Sequence, residues 1–299
     1  MCGIVGLFLK RTSLEASLGS WLEPMLVAMG ERGSDSAGFA IYHDVVPADA
    51  TKLTLHHPTP GFDWEPVTNG LGTLFSGPVR MKVRMSHAVI VVSGAADEAR
   101  AWLSRNHPEV RITSAGSAIE IYKEKGSPKS VAEAYGIRYL SGSHAVGHTR
   151  MATESAVTTE HSHPFSTGLD LCLVHNGSLS NHNRLRTYLV QKGVSFSTDN
   201  DSEVAAGYLS HRMSEGASLV DALESSLADL DGFFTFAVGT RDGFAVLRDK
   251  VACKPAVLAE TDEWVAMASE YRSIAHLPGA HSARIWEPDP ATVYAWSRR

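Results

Sequence analysis

The second residue of the chain is a cysteine, and its position could give it catalytic chemistry. The chain begins MCGIVGLF, and a small residue after Met1 favours removal of that methionine. Cys2 would then carry a thiol beside a free α-amine, whose pKa is roughly 8, so that one residue supplies both nucleophile and base. The plain alternative is an incidental small residue at a frayed terminus. The apolar run at residues 4–9 favours catalysis, because it mounts the terminus on a strand.

The segment LVHNGSLSN, at 173–181, places an amide side chain and a glycine at the end of a second apolar run. The Asn176 amide and the Gly177 backbone N–H are the kind of donors that stabilise the oxyanion formed when an acyl group is attacked. An Asn-Gly turn that merely ends a strand is the common alternative.

Two further segments carry groups that could hold the charged end of an amino acid. In GHTRMAT, at 147–153, the Arg150 guanidinium could bind a carboxylate through two hydrogen bonds, and Thr153 adds a hydroxyl donor. In TDNDSEV, at 198–204, Asp201 could bind an ammonium group, or it could only cap a helix. Taken with Cys2 and Asn176, these groups suit the carboxylate, the amine and the side-chain amide of glutamine.

The spacing of apolar residues predicts the strands and helices that must position these residues. We predict a first strand at 4–9, a strand at 38–42, and helices at 181–192, 201–215 and 218–229, followed by strand-rich sequence to the end. Strand clusters at both ends with helices between them predict antiparallel sheets packed together and covered by helices. Residues from about 44 to 140 have their own strand and helix pattern, which predicts an inserted α/β lobe within one domain spanning 1–299.

Composition excludes several classes of protein. The chain has 299 residues, of which 43% are hydrophobic and 20% charged, with a net charge of -6. These values indicate a globular protein without the basic surface that nucleic acid or anionic lipid requires. No basic segment followed by a long apolar run is present, so we expect a cytoplasmic protein that is not associated with membranes.

Cysteine and histidine usage gives no sign of a disulfide framework or a metal site. The cysteines, Cys2, Cys172 and Cys253, form no CxxC pair. The pairs His56-His57 and His161-x-His163 have no acidic or cysteine partner at metal-ligand spacing. We therefore expect no metal.

Six segments occur in the order found in one family. MCGIVG, RGSDSAG, GHTRMAT, HSHPF, HNGSLSN and TDNDSEV resemble, in this order, the motifs of class II glutamine amidotransferases, the N-terminal-nucleophile type. The resemblance covers residues 1–43 and 140 to about 275. Within a glutamate-synthase-like group, the chain looks most similar to the small amidotransferase component of N-methylglutamate synthase.

This resemblance implies a fold and a set of roles. The fold is α+β, a four-layer αββα N-terminal-nucleophile hydrolase sandwich of two antiparallel sheets. By motif position, the resemblance implies that Cys2 is the nucleophile and that Asn176 and Gly177 form the oxyanion hole. It also implies that Arg150, Thr153 and Asp201 bind glutamine and that Arg32 and Gly33 form a supporting loop. Ser34, Met151 and Glu154 depart from the residues usual in relatives, and Glu154 adds a charge near the site.

The resemblance also implies a partner. We expect hydrolysis of the γ-amide of glutamine or γ-glutamylmethylamide, with ammonia or methylamine passed to synthase subunits that resemble pieces of glutamate synthase. On this interpretation the chain itself holds no cofactor, and FMN and an iron-sulfur cluster belong to partner subunits. Because no synthase motif follows the last predicted strand, we expect a hetero-oligomer.

Two other functions remain open. A stand-alone γ-glutamyl amidohydrolase would turn over its substrate fully without a partner. A non-catalytic subunit that senses glutamine would keep the fold without hydrolysis, although the intact Cys2 argues against this.

Overall fold

A computed structural model describes residues 2–151 and 157–298. In these residues the strands are β1 (Gly3–Leu9), β2 (Ser36–Tyr42), β3 (Thr51–His56), β4 (Arg80–Arg84), β5 (His87–Val92), β6 (Arg111–Gly116), β7 (Ile119–Lys125), β8 (His144–Arg150), β9 (Cys172–Leu179), β10 (Gly232–Thr240), β11 (Gly243–Arg248), β12 (Val257–Glu260), β13 (Trp264–Ala268), β14 (Arg284–Trp286) and β15 (Val293–Ser297).

Helices of 4 to 14 residues lie between some of these strands. They are α1 (Leu18–Ala28), α2 (Glu65–Phe75), α3 (Ala96–Asn106), α4 (Pro128–Tyr135), α5 (His182–Gln191), α6 (Asp201–Ser214), α7 (Leu219–Asp229) and α8 (Tyr271–Ile274). Within the described part of the chain, no helix is both long and apolar enough to cross a membrane.

Two antiparallel sheets form the body of the protein. The first has the strand order β14-β12-β13-β1-β8-β2-β7, and the second has the order β15-β11-β10-β9. Strand β1 lies in the interior of the first sheet, with β13 on one side and β8 on the other. Every residue of β1 is buried, which explains why its sequence is apolar throughout rather than alternating.

Three apolar layers show how the sheets and helices are stacked. Alternate residues of β1, Ile4 and Phe8, pack with residues of the second sheet, while Val5 and Leu7 pack against α1 on the opposite face. A further core joins the outer face of the second sheet to helices α6 and α7. The order is therefore helix, sheet, sheet, helix, and the predicted αββα sandwich is confirmed.

A third sheet, with the order β4-β5-β3-β6, is inserted between β2 and β7. Its own core includes Leu53, Ile90 and, from the covering helices, Leu71 and Leu103. This sheet is built from residues 51–116, a narrower range than the 44–140 predicted for the lobe. Strand β7 pairs with β2 in the first sheet, and α4 packs on the body of the protein.

The close approach of the two sheets depends on a glycine in β1. A Cβ atom at Gly6 would lie 2.6 Å from Cε2 of Phe244, whose ring is buried between the sheets. A side chain at this position must displace the ring or separate the sheets.

We predict that Gly6→Ala destabilises the protein by about 1–3 kcal/mol through overpacking. The matched control is Gly72→Ala in α2, where the new Cβ would have no neighbour closer than 3.4 Å and alanine favours the helix. Urea denaturation of both variants measures the difference. Equal stability of Gly6→Ala and the native protein would show that the interface is not tightly packed at this glycine.

Candidate active site

Cys2 lies directly before β1, in a row shared with β8. The register pairs Gly3 with Thr149 and Ile4 with His148, so that one further step sets Cys2 opposite Arg150. Residues of this parity, such as Ile4 in β1 and Val146 in β8, face the second sheet. Cys2 is partly exposed and Arg150 is buried. The register thus brings together two of the predicted site residues that are far apart in sequence.

The backbone of Cys2 is held by two side chains. Its carbonyl oxygen accepts a hydrogen bond from Arg32 Nε at 2.9 Å and a longer one from Asn176 Nδ2 at 3.4 Å. Arg32 also donates from Nη1 to Glu270 Oε1 at 2.8 Å, and this hydrogen bond lowers the pKa of the Glu270 carboxyl. The position of the candidate nucleophile is therefore tied to both sheets.

The next residue that is held in place is Ile4. Its N–H donates to Ser269 Oγ at 2.9 Å, and its carbonyl accepts from the Ser269 N–H at 3.0 Å. Both residues are buried. These bonds extend the pairing of β1 with β13 toward the terminus and limit fraying there.

The loop that contains Arg32 and Gly33 packs on the end of β8. The N–H of Asp35 donates to the Arg150 carbonyl at 3.0 Å. A Cβ atom at Gly33 would lie 2.6 Å from the backbone nitrogen and carbonyl carbon of Arg150, so only glycine allows this approach. The predicted supporting loop thus contacts the backbone of the candidate carboxylate ligand.

Asn176 and Gly177 lie near the end of β9, in an edge strand of the second sheet. Asn176 is buried, and its amide reaches the first sheet at Cys2. A Cβ atom at Gly177 would lie 2.0 Å from the Phe233 carbonyl oxygen, so the backbone can approach this closely only as glycine. The Asn176 side chain therefore contacts the candidate nucleophile, and Gly177 is the next residue along β9.

Asp201 is the first residue of α6, and it is anchored to β9. Its Oδ2 accepts the N–H of Leu179 at 2.9 Å, and its Oδ1 accepts from Ser202 Oγ at 3.3 Å. The helix cap is Asn200, whose side chain accepts the Ser202 N–H at 2.8 Å. The capping role considered for Asp201 is thus carried by its neighbour, and the Asp201 side chain stays 22% exposed.

Two residues singled out by the sequence, Thr153 and Glu154, lie outside the described residues. Met151, just before them, has an exposed side chain. Ser34 is exposed and donates to the Asp35 carboxylate.

Buried histidines surround the site. His148 and His163 stack with ring centroids 4.0 Å apart, and His148 Nε2 lies 3.1 Å from the His175 carbonyl oxygen. Burial lowers the pKa of His148 to about 3 and lowers the pKa of His163 and of His175. All three imidazoles are therefore neutral at physiological pH and add no positive charge to the site.

No group of three or more His, Cys, Asp or Glu side chains in residues 2–151 and 157–298 is placed to hold a metal ion. His161 Nε2 instead pairs with Asp199 Oδ1 at 3.1 Å, and His56 packs against His87.

Four residues of the site were not identified from the sequence: Glu270, His148, His175 and Ser202. Each lies inside a short motif: Glu270 in MASEYRSI, His148 in GHTRMAT, His175 in HNGSLSN and Ser202 in TDNDSEV. For Glu270, His148 and His175 the available signal was a polar residue within or next to a buried apolar strand, because such a residue requires a hydrogen-bond partner. Ser202 lies in α6 and gives no such signal.

The arrangement can perform acyl chemistry on an amino acid. A thiol, an amide donor and the backbone N–H of an exposed glycine come from Cys2, Asn176 and Gly177. The guanidinium of Arg150 and the carboxylate of Asp201 have the charges that an amino acid's own carboxylate and ammonium require.

We predict that His163→Phe weakens the acid sensitivity of the fold. Neither ring nitrogen of His163 has a hydrogen-bond partner in the described residues, and the buried ring stays neutral while the unfolded chain takes up a proton below about pH 6.5. The lowered pKa therefore costs stability as pH falls. Urea denaturation at pH 7.5 and pH 5 should show a smaller loss for the variant than for the native protein. The exposed control His281→Gln tests for a generic effect of histidine removal, and a loss in His163→Phe as large as in the native protein would contradict the assignment.

Comparisons with known proteins agree with this chemistry. Residues 148–276 match the family described as "Glutamine amidotransferase domain". The glutamine amidotransferase-like protein GlxB of Rhizobium meliloti (strain 1021) is 54% identical over 300 residues, which cover 100% of this chain and 99% of the relative. A putative glutamine amidotransferase of Methanothermobacter thermautotrophicus is 32% identical over 304 residues, covering 98% and 99%.

Solved structures show the same fold. The glutamine phosphoribosylpyrophosphate amidotransferase of B. subtilis, complexed with ADP and GMP, superposes with a TM-score of 0.62 at 18% identity. The match covers 99% of this chain and 47% of that chain. From the full-length relatives together with this fold, the chain belongs to the class II glutamine amidotransferase family.

Proposed function

We propose that this chain hydrolyses the γ-amide of glutamine or of γ-glutamylmethylamide, with Cys2 as its nucleophile after removal of Met1. The observation that supports this most directly is that Cys2 is fixed in position. Its carbonyl oxygen accepts hydrogen bonds from Arg32 and from Asn176, and the β1–β8 register, extended by one residue, places it opposite Arg150. A nucleophile needs such a fixed position relative to the oxyanion donors.

In the proposed reaction the α-amine of Cys2 takes the thiol proton, and the thiolate attacks the amide carbon. Asn176 Nδ2 and the Gly177 N–H stabilise the resulting oxyanion. The α-ammonium returns the proton to the leaving nitrogen, so that ammonia or methylamine departs and a γ-glutamyl thioester remains. Water then cleaves the thioester, which releases glutamate and restores the thiol.

We propose that three residues bind the charged groups of the substrate. Arg150 binds the α-carboxylate, Asp201 binds the α-ammonium through the side of its carboxylate that is not bonded to Leu179, and Thr153 adds a hydroxyl. His148 and His163 are neutral, so they add no positive charge to that of Arg150.

Amidotransferases in general deliver their amine to a synthase domain or subunit. For this chain we propose partner subunits resembling pieces of glutamate synthase, as in N-methylglutamate synthase. Those subunits would hold FMN and an iron-sulfur cluster, and the released amine would meet 2-oxoglutarate there. What supports this finer assignment is the sequence resemblance alone.

Replacing the nucleophile tests the proposal. We expect Cys2→Ala to lower glutamine and γ-glutamylmethylamide hydrolysis to below about a thousandth of the native rate while the thermal unfolding temperature is kept. An uncleaved N-terminal tag should have the same effect, because it removes the free α-amine. A tagged protein with full activity would exclude the amine as the base. Full native turnover without any partner would favour a stand-alone amidohydrolase, and no turnover under any condition would favour a sensor.

The substitution Arg150→Lys tests substrate binding separately from the rate of the reaction. A lysine keeps the charge but loses the bidentate geometry, so we expect KM for glutamine to rise about tenfold with a smaller change in kcat. Steady-state kinetics measures both values. An unchanged KM would remove Arg150 from the list of substrate ligands.

A further inference from the structure

A buried hydrogen-bonded link connects β9 to the start of α6. His175 Nδ1 and Ser202 Oγ lie 2.8 Å apart, and Ser202 Oγ lies 3.3 Å from Asp201 Oδ1. His175 and Ser202 are both buried. A chain of two hydrogen bonds therefore joins the imidazole of one element to the carboxylate of the next.

Residues that we propose to contact the substrate lie at both ends of this hydrogen-bonded link: Asn176 next to His175, and Asp201 itself. His175 directly precedes Asn176, and its carbonyl oxygen lies 3.1 Å from His148 Nε2 in the first sheet. Asp201 is fixed on its other oxygen by the Leu179 N–H at 2.9 Å. The link thus connects the residue that carries the oxyanion donor to the carboxylate that faces the amine.

The hydrogen-bond partners of His175 determine which atoms donate and which accept along this link. His175 Nε2 has no partner in the described residues, and a Cβ at Gly177 would lie 2.6 Å from it. A proton on Nε2 would be a buried donor without an acceptor, so the proton belongs on Nδ1. Nδ1–H then donates to Ser202 Oγ, and the Ser202 hydroxyl donates to Asp201.

The charge on Asp201 strengthens this arrangement. Burial lowers the pKa of His175, and the nearby Asp201 opposes that shift only in part, so the imidazole stays neutral. The hydrogen bond from Ser202 to the carboxylate is charge-assisted, and such bonds are stronger than neutral ones. The link therefore orients the carboxylate without neutralising it.

We propose that Ser202 is a positioning residue that orients the Asp201 carboxylate relative to Asn176 and thereby selects substrates that carry an α-ammonium group. This inference rests on the proposed function and adds a residue to it. The α-amine and the γ-amide of one substrate are a fixed number of bonds apart, so both ends bind together only when their protein ligands are also held at a fixed separation. Loss of the hydroxyl removes the hydrogen bond to Oδ1 and leaves the Leu179 N–H on Oδ2, so the carboxylate is held less firmly.

The test compares two ligands that differ only in the α-amine. Binding is measured by calorimetry in the Cys2→Ala protein, with L-glutamine and with glutaramate, the same amide without the amino group. We expect Ser202→Ala to weaken L-glutamine binding about tenfold, since one hydrogen bond to a charged group is lost, and to change glutaramate binding less than about twofold. Ser202→Thr, which keeps the hydroxyl, should restore most of the difference.

The same helix supplies a matched control. Ser210 Oγ lies 2.8 Å from Thr167 Oγ1, so Ser210→Ala removes a similar hydrogen bond from α6 away from the site. Binding of both ligands should be unchanged in this variant. If Ser202→Ala does not fold, His175→Gln breaks the link from the β9 side and should give the same selective loss.

The outcomes separate the two proposals. Equal weakening of both ligands, or of neither, would overturn the role of Ser202. If Ser202→Ala selectively weakens L-glutamine binding but the native protein hydrolyses no amide, the proposed reaction is overturned and the positioning role of Ser202 is kept. If the Cys2→Ala protein binds neither ligand, the assigned pocket is wrong and both proposals fail.

Discussion

The pairing of β1 in the interior of the first sheet is the constraint on which the rest of the site depends. Antiparallel ladders to β13 and β8 hold both sides of this strand, and Ser269 extends the hold to Ile4. Two residues before Ile4, side chains replace the ladder, because Arg32 and Asn176 both donate to the Cys2 carbonyl. A chain terminus normally frays. Here the hydrogen bonds and the complete burial of β1 oppose that motion, which is what a reacting group at a terminus requires.

The site lies where the ends of elements from both sheets meet. Arg150 ends β8, Asn176 and Gly177 come near the end of β9, and Asp201 begins α6. Because strand interiors pack the two sheets together through apolar side chains, polar groups accumulate where the pairing ends. The buried histidines next to this edge are neutral, so they add no positive charge to that of Arg150.

Much of this architecture follows from the sequence. The apolar run after Cys2 and the helix that begins at Asp201 follow from periodicity and turn residues, and the sandwich follows from the family resemblance. The sequence also predicts an apolar strand that leads into Asn176 and Gly177, but β9 continues past them to Leu179. Contacts between distant residues could not be predicted in this way: Glu270 reaches Arg32 across 238 positions, and nothing local to either residue indicates the pair. The inserted sheet was also difficult, because β4 has exposed basic residues and is stabilised by pairing with β5 rather than by an apolar face of its own.

The central claim is that Cys2 forms a covalent bond with the acyl part of the substrate. The most direct measurement is intact-protein and peptide mass spectrometry on protein mixed with glutamine or γ-glutamylmethylamide and quenched in acid within the first turnover. We expect a chain without Met1 that carries one γ-glutamyl group, located on the N-terminal peptide at Cys2. A chain that turns over its substrate while it keeps Met1, or an acyl group found on Cys172 or Cys253, would contradict it.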